Sequence, residues 1–220
     1  MSDDQFTPAD PTERFASPGS GNRPVAWPGR NDEMDVVPDH GERTYRGTDR
    51  LVDRKVVLTG GDSGIGRAVA IAMAREGADV LLTHLPEEAD HAAETARWVG
   101  QAGREAVTVA VDLREEQQCT DVVARAVDAF GRIDVLISNA AYQMSQDKGL
   151  LGITTEQFDR VTRTNVYALF WLARAAVPHM PPGSSIITTS SVQTFSPSPH
   201  QPHHPTPKAA IVNFTKGLGH

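Results

Sequence analysis

The chain has 220 residues, of which 39% are hydrophobic, so it is long enough to bury one sizeable core. Its formal charge of −7 argues against a general nucleic-acid-binding protein, and no apolar run approaches the roughly 20 residues that cross a bilayer. The polar, acidic N-terminus lacks the apolar stretch of a signal peptide, and a single cysteine, Cys119, excludes an internal disulfide framework. We therefore expect a cytoplasmic protein with neither a nucleic-acid nor a membrane partner.

Residues 1–50 are predicted to form an N-terminal arm, and residues 51–220 the folded domain. The arm is rich in Pro, Gly, Asp and Arg and shows neither a helical nor a strand period. It is either a disordered leader or an extended arm that lies on its own domain or on a partner subunit. Scattered apolar residues favour the extended arm, namely Val25, Trp27, Met34, Val36, Val37 and Tyr45.

The stretch from Thr59 to Gly66 is the most informative part of the chain. It lies between a short apolar run, residues 55–58, and an Ala-rich amphipathic segment, residues 67–76, which predicts a strand, a glycine turn and a helix. Its glycines do not follow the commoner G-x-G-x-x-G spacing. Backbone N–H groups of such a turn can approach a pyrophosphate, and the helix N-terminus favours its negative charge. The turn therefore predicts a phosphate cradle.

Further apolar runs alternate with helical patterns, which predicts an α/β fold with a doubly wound parallel sheet. Predicted strands cover residues 79–83, 106–111, 133–137 and 185–189, and predicted helices include 86–101 and 155–180. Thr154 and Gln157 form a capping box before the long helix. Cys119 lies on an apolar helix stripe and is interpreted as a buried hydrophobe, not a nucleophile. Polar residues that follow strand ends are expected to converge on one crevice, namely Asp112, Asn139 and Ser191.

From about Leu51 to its end the chain resembles the short-chain dehydrogenase/reductase family. The resemblance rests on the glycine run and on motifs in the order of the family: Asp112-Leu113, Asn139-Ala140-Ala141, Asn165, residues 186–191 and Lys208-Ala209-Ala210. Residues 41–45 also resemble a subgroup with a longer leader. The family implies a Rossmann-type sheet of strand order 3-2-1-4-5, NAD or NADP as cofactor, and hydride transfer on an alcohol/carbonyl pair. The implied partner is a small-molecule carbonyl or alcohol substrate, and a homo-oligomer is compatible with the family.

The resemblance implies a cofactor site. Its members are Gly60, Gly64 and Gly66 under the pyrophosphate, Asp62, Ser63 and Ile65 lining the turn, Asp112 and Leu113 at the adenine, and Asn139 near the ribose and nicotinamide. Taken alone, Asp112 is equally well explained as a cap of the following helix, and one side chain can do both.

The resemblance also implies catalytic roles. Ser191 would bind the substrate carbonyl, Lys208 would hold the nicotinamide ribose and lower the pKa of a neighbouring acid, and Asn165 would carry a water. Without the family, Ser191 and Lys208 would be ordinary polar residues. Asn165 is a poor helix former inside a helix, which favours a function or a buried hydrogen bond.

The position that carries the family's tyrosine holds His204, whether it is counted from Ser191 or from Lys208. Imidazole titrates at about 6.5 and phenol at about 10, and a neighbouring Lys208 favours the neutral imidazole. Pro205 and Pro207 predict a helix start near Thr206 or Pro207, which leaves His204 outside the helix. We therefore expect weak or absent turnover, with a catalytically defective dinucleotide-binding remnant or interaction module as the alternative.

Two other features bear on the site. His200, His203 and His204 are not interpreted as metal ligands, because their segment supplies neither a cysteine nor a carboxylate, and no metal is expected. Glu87 and Glu88 lie where an acid selects NAD over NADP, but a helix start explains them equally well, so the choice stays open.

The chain ends at His220, where the family continues with a further strand, a substrate-covering loop and a last strand. We expect the domain to be C-terminally truncated relative to the family, to lack the last family strands, and to leave its fifth strand as an exposed edge.

Overall fold

The computed structural model describes residues 4–8, 10, 12, 34–144, 148–197 and 205–219. Within these residues one five-stranded parallel sheet has the order β3-β2-β1-β4-β5. Its strands are β1 (Lys55–Leu58), β2 (Asp79–His84), β3 (Ala106–Ala110), β4 (Val135–Ser138) and β5 (Ser185–Thr188). The predicted Rossmann-type doubly wound sheet with strand order 3-2-1-4-5 is confirmed.

The six described α-helices are α1 (Gly64–Arg75), α2 (Ala89–Gln101), α3 (Glu116–Phe130), α4 (Thr155–Thr162), α5 (Ala168–Ala176) and α6 (Pro205–Leu218). The strands alternate their side chains between two cores: Val56 and Leu58 pack with α1 and α2, whereas Val57 packs with α3 and α5. Because both faces of the sheet are covered, its central strands are continuously apolar. None of the helices within the described residues is long and apolar enough to cross a membrane.

Cys119 is fully buried in the core between the sheet, α3 and α5, as predicted. Burial raises the pKa of its thiol to about 12, so it packs as a hydrophobe and is not poised as a nucleophile.

The predicted long helix contains a local defect. The capping box at its start is confirmed, with Gln157 N 3.2 Å from Thr154 Oγ1 and Thr154 N 3.0 Å from Gln157 Oε1. The helix then passes through a π-helical turn, Arg163–Tyr167, before α5 begins. The Asn165 amide donates to the backbone oxygen of Val161 at 2.8 Å, so a side chain takes part in the helix hydrogen bonding at this turn.

Helix α6 begins at Pro205, earlier than the predicted start at Thr206 or Pro207. Prolines fit the first turn of a helix because the N–H groups there have no intrahelical partner. The residue before it, His204, lies outside the described residues, as do His200 and His203.

The described residues 34–50 contact the C-terminal end of α1. Arg75 donates to the backbone oxygens of Gly41 at 2.8 Å and Glu42 at 2.7 Å. The carboxylate of Glu76 accepts hydrogen bonds from Tyr45 and Arg50. This part of the chain is therefore fastened to the domain that follows it. Val25 and Trp27 of the predicted arm lie outside the described residues.

Candidate functional site

A cavity of about 810 Å³ lies at the carboxyl edge of the sheet. Its wall includes every residue for which the family resemblance implies dinucleotide binding: Gly60, Asp62, Ser63, Gly64, Ile65, Gly66, Asp112, Leu113 and Asn139. Ser191 and Lys208 line the same cavity, whereas Asn165 does not. The side chains after β1, β3, β4 and β5 thus converge at one edge, as expected for a doubly wound sheet.

The glycine turn is closely packed on its protein side and open on its cavity side. A Cβ at Gly66 would lie 1.7 Å from the backbone oxygen of Gly60, so only glycine allows this approach. Gly64 has a φ of +49° and opens α1, and a Cβ there would meet nothing within 4 Å. Ser63 makes no side-chain cap bond with its own helix. The first amides of α1 are therefore presented to the cavity, which suits a phosphate group.

Asn139 holds the glycine turn in place. Its Nδ2 donates to the backbone oxygens of Gly60 at 3.1 Å and Thr59 at 3.3 Å, and its Oδ1 accepts from Thr189 Oγ1 at 3.1 Å. The amide is thus bonded on both ends to protein atoms from the ends of β1 and β5. Asn139 acts in this structure as a positioning residue in the cavity wall.

Asp112 closes a turn after β3. Its Oδ1 accepts from the backbone N–H of Arg114 at 3.0 Å and from Arg114 Nε at 2.9 Å. The bound Arg114 guanidinium lowers the pKa of Asp112. The N-cap residue of α3 is Glu115, so the alternative that Asp112 caps this helix is wrong. Leu113 beside it is 7% exposed and lines the cavity.

Ser191 and Lys208 approach the cavity from β5 and α6. The hydroxyl oxygen of Ser191 accepts from Gln193 N at 3.2 Å, and this leaves its O–H hydrogen for a second partner. Lys208 is 4% exposed and donates from Nζ to the backbone oxygen of Thr189 at 2.7 Å. Burial lowers the pKa of Lys208. The pair can offer hydrogen-bond donors to polar groups of a ligand.

Asn165 lies in the π-helical turn and is 2% exposed. Its Nδ2 donates to the backbone oxygens of Tyr142 and Val161, both at 2.8 Å. Its Oδ1 is buried and has no hydrogen-bond partner among the described residues, which leaves an acceptor that a buried water can satisfy. The side chain thus joins the helix to the loop after β4.

Sequence reasoning missed several residues of the cavity wall, among them Tyr142 and Arg160. The guanidinium of Arg160 lies 3.9 Å from the ring centroid of Tyr142, and both residues line the cavity. Tyr142 directly follows the Asn139-Ala140-Ala141 motif, which was an available signal. Arg160 had no local signal, because its place depends on the contact of α4 with Tyr142 in the loop after β4.

Within the described residues, no group of three or more His, Cys, Asp or Glu side chains is arranged to hold a metal ion. His200, His203 and His204 are outside those residues, so the interpretation of this segment stays a prediction.

Residues 54–220 match the family model described as short chain dehydrogenase. The chain is 44% identical over 209 residues to the uncharacterized oxidoreductase YghA of Escherichia coli strain K12. The aligned region covers 95% of this chain and 71% of the relative. It is also 44% identical over 192 residues to the uncharacterized oxidoreductase YhxD of Bacillus subtilis strain 168, which covers 87% of this chain. The chain spans 64% of the length of YhxD, less than two thirds.

Solved structures share the fold. A short chain dehydrogenase from Burkholderia cenocepacia J2315 in complex with NADP has a TM-score of 0.72 at 30% identity, covering 77% of this chain and 68% of the other. The NADH-dependent reductase A1-R' complexed with NAD has a TM-score of 0.72 at 26% identity, and the match covers 77% of this chain and 73% of the other. Of these two neighbours, one is in complex with NADP and the other with NAD.

Proposed function

The chain belongs to the short-chain dehydrogenase/reductase family, and on that premise we propose that it binds a nicotinamide dinucleotide in the carboxyl-edge cavity and interconverts an alcohol and a carbonyl compound. One observation carries the proposal: the glycine turn and the first amides of α1 open onto the same cavity as Ser191 and Lys208. Gly66 and Asn139 hold the glycine turn in this shape.

A nicotinamide dinucleotide, when bound, supplies or accepts the hydride. The chain's own residues bind and orient the dinucleotide and the substrate, and they control proton transfer. The N-terminus of α1 offers N–H groups and a partial positive charge to the pyrophosphate. The Ser191 O–H donates to the carbonyl oxygen of the substrate, whose negative charge grows as hydride is added. The Lys208 ammonium, held by Thr189, would donate to ribose hydroxyls and would add a positive charge to the side of the cavity that Ser191 also lines.

The identity of residue 204 favours a second candidate function, a dinucleotide-binding protein with little turnover. Histidine stands where the family resemblance implies a tyrosine. Its ring differs from phenol in reach, and it is a weaker match for the proton donor of a carbonyl reduction. Ser191 and Lys208 favour oxidoreductase activity, whereas His204 limits the rate of turnover. We propose both together: an intact cofactor site and a slow proton transfer.

The test compares the chain with its His204→Tyr variant. NADH and NADPH oxidation is followed with panels of aldehydes and ketones, and binding of each dinucleotide is measured by calorimetry. We expect dinucleotide binding in both proteins and turnover about 10²-fold faster in the variant, the lower range of general acid–base catalysis. Ser191→Ala in the variant should remove turnover while keeping dinucleotide binding. Fast turnover by the unmodified chain would refute the slow-transfer candidate, and absence of dinucleotide binding would refute the cofactor site.

A cytoplasmic location is also part of the proposal. A free, buried Cys119 thiol fits a reducing compartment. Fractionation of cells that produce the tagged chain tests it, and recovery in the membrane or extracellular fraction would refute it.

A further inference from the structure

We infer that the corner of the cavity between the glycine turn and the end of β2 selects NAD over NADP, with Asp62 as the main specificity residue and Glu88 in support. This inference rests on the proposed dinucleotide site. It concerns the choice between NAD and NADP, which family membership leaves open.

The corner is built by direct hydrogen bonds between the glycine turn and β2. Gly60 N lies 3.2 Å from Thr83 Oγ1, and Gly61 N lies 3.0 Å from the backbone oxygen of Thr83. In doubly wound dinucleotide folds, the hydroxyls of the adenosine ribose lie at the end of the second strand. Asp62 and Glu88 both line the cavity at this place.

Asp62 has an unsatisfied acceptor at this corner. The residue is 3% exposed, and its Oδ2 is buried without a hydrogen-bond partner among the described residues. A buried carboxylate oxygen without a donor is costly. A ribose 2′-hydroxyl is a donor and can satisfy it. A 2′-phosphate carries charge close to −2 and only acceptor oxygens when fully ionised, so it leaves Oδ2 unsatisfied and adds repulsion.

Glu88 adds a second negative group beside Asp62. Its Oε2 accepts from Leu85 N at 3.2 Å, which fixes the side chain over the turn that follows β2. Burial, together with the negative charge of Asp62, raises the pKa of Glu88. The two carboxylates therefore share one electrostatic environment, and a phosphate placed there would meet both.

The basic side chains nearest this corner make other contacts. Arg67 donates from Nε to the backbone oxygen of Asp62 at 3.0 Å and pairs with Glu94, and at 4% exposed it does not line the cavity. His84, at the end of β2, contacts the backbone oxygen of Leu85 through Nδ1 at 2.7 Å.

The arginines and the lysine that line the cavity belong to other elements, whereas His84 at the end of β2 is also part of the wall. Arg114 follows β3 and pairs with Asp112, Arg160 covers Tyr142, and Lys208 is bound to Thr189. Within the described residues, neither the glycine turn nor the segment directly after β2 contributes a lysine or arginine to the wall. A 2′-phosphate is thus left without a counter-charge at this corner.

The test uses ADP-ribose and 2′-phospho-ADP-ribose as probes, measured by calorimetry. Both lack the nicotinamide ring, so binding does not depend on His204 or on turnover. We expect ADP-ribose to bind at least about tenfold tighter than its 2′-phosphate, and higher salt to narrow the ratio because it screens repulsion. Asp62→Asn keeps the shape and removes the charge, and should narrow the ratio by about tenfold.

Asp90→Asn is the matched control, since Asp90 is exposed on the first turn of α2 and does not line the cavity. It should leave the ratio unchanged. Glu88→Gln keeps an acceptor for Leu85 N and should narrow the ratio even if Asp62→Asn fails to fold. Equal or tighter binding of the 2′-phosphate by the unmodified chain overturns the NAD preference while the cofactor site stands. Failure of both probes to bind overturns the cofactor site, and this inference with it.

Discussion

Lys208 donates a hydrogen bond of 2.7 Å from Nζ to the backbone oxygen of Thr189, which ties the first turn of α6 to the end of β5. The contact places a buried ammonium against a neutral carbonyl, and burial lowers the pKa of Lys208 as a result. Because Thr189 Oγ1 also donates to Asn139, the same strand end connects Lys208 to the residue that positions the glycine turn.

The lowered pKa of Lys208 makes part of the stability dependent on pH. Between its folded pKa and the unfolded value of about 10.4, the folded state binds fewer protons than the unfolded state, so Lys208 makes stability rise with pH there. Methionine does not titrate. We therefore expect the unmodified chain to gain stability relative to Lys208→Met as pH rises toward the unfolded pKa of about 10.4. Urea unfolding of both proteins across this range measures the difference, and a difference independent of pH would contradict the shift.

Two glycines of the cofactor turn should respond differently to alanine. A Cβ at Gly66 would meet the backbone oxygen of Gly60 at 1.7 Å, so Gly66→Ala should destabilise the domain by about 3 kcal/mol and abolish ADP-ribose binding. A Cβ at Gly64 meets no atom within 4 Å, and only its φ of +49° is strained, which costs about 1 kcal/mol.

Gly64→Ala should therefore stay folded. It should bind ADP-ribose, but more weakly than the unmodified chain does, because its methyl group enters the opening of the cavity. Thermal unfolding and calorimetry on both variants check the contrast. Equal stability losses at the two positions would show that the turn does not have the described packing.

Local patterns in the sequence were sufficient for most of the sheet and its helices. The apolar run at residues 55–58 forms β1 with the predicted bounds, and the capping box at Thr154 is present as predicted. The buried Cys119 followed from its helix stripe. These features depend on residues close in sequence, where side-chain period and hydrogen-bond chemistry act directly.

Other features depend on contacts between distant segments and had no local signal. The π-helical turn is stabilised in part by Asn165 binding Tyr142, which belongs to the loop after β4. The unsatisfied oxygen of Asp62 could not be read from the glycine motif, because its burial depends on how α2 and β2 pack beside the turn.

Asn165 should contribute to the stability of the fold through its buried amide. Asn165→Asp removes the amide that donates to Tyr142 and Val161 and places a carboxylate against both backbone oxygens. We expect a loss of about 3 kcal/mol in the free energy of unfolding, the upper range for unsatisfied buried polar groups. Gln157→Glu is the matched amide-to-acid control, since Glu fits a capping box equally well, and it should change stability by less than about 0.5 kcal/mol. Similar losses in both variants would contradict the role of the buried amide.

Glu76 should hold residues 45–50 to the end of α1. It is 3% exposed and accepts from Tyr45 Oη, from Thr48 N at 3.0 Å and from Arg50 Nη2 at 2.6 Å. Glu76→Gln loses the charge that strengthens these bonds, so we expect a loss of about 2 kcal/mol in the free energy of unfolding. Glu116→Gln breaks an exposed pair with Arg174 and should cost less than about 0.5 kcal/mol.

The effect of Glu76 should also depend on pH, with the same sign as that of Lys208 but in a lower pH range. The hydrogen bond from Arg50 is the largest of the contacts that hold the pKa of Glu76 well below its usual range. Its contribution is therefore complete above the unfolded pKa of about 4.3 and is lost as pH falls toward the folded value. Urea unfolding of the unmodified chain and Glu76→Gln should show a stability difference that shrinks from about pH 5 downward. A difference that stayed constant to about pH 3 would contradict a charged, buried Glu76 as the anchor of this segment.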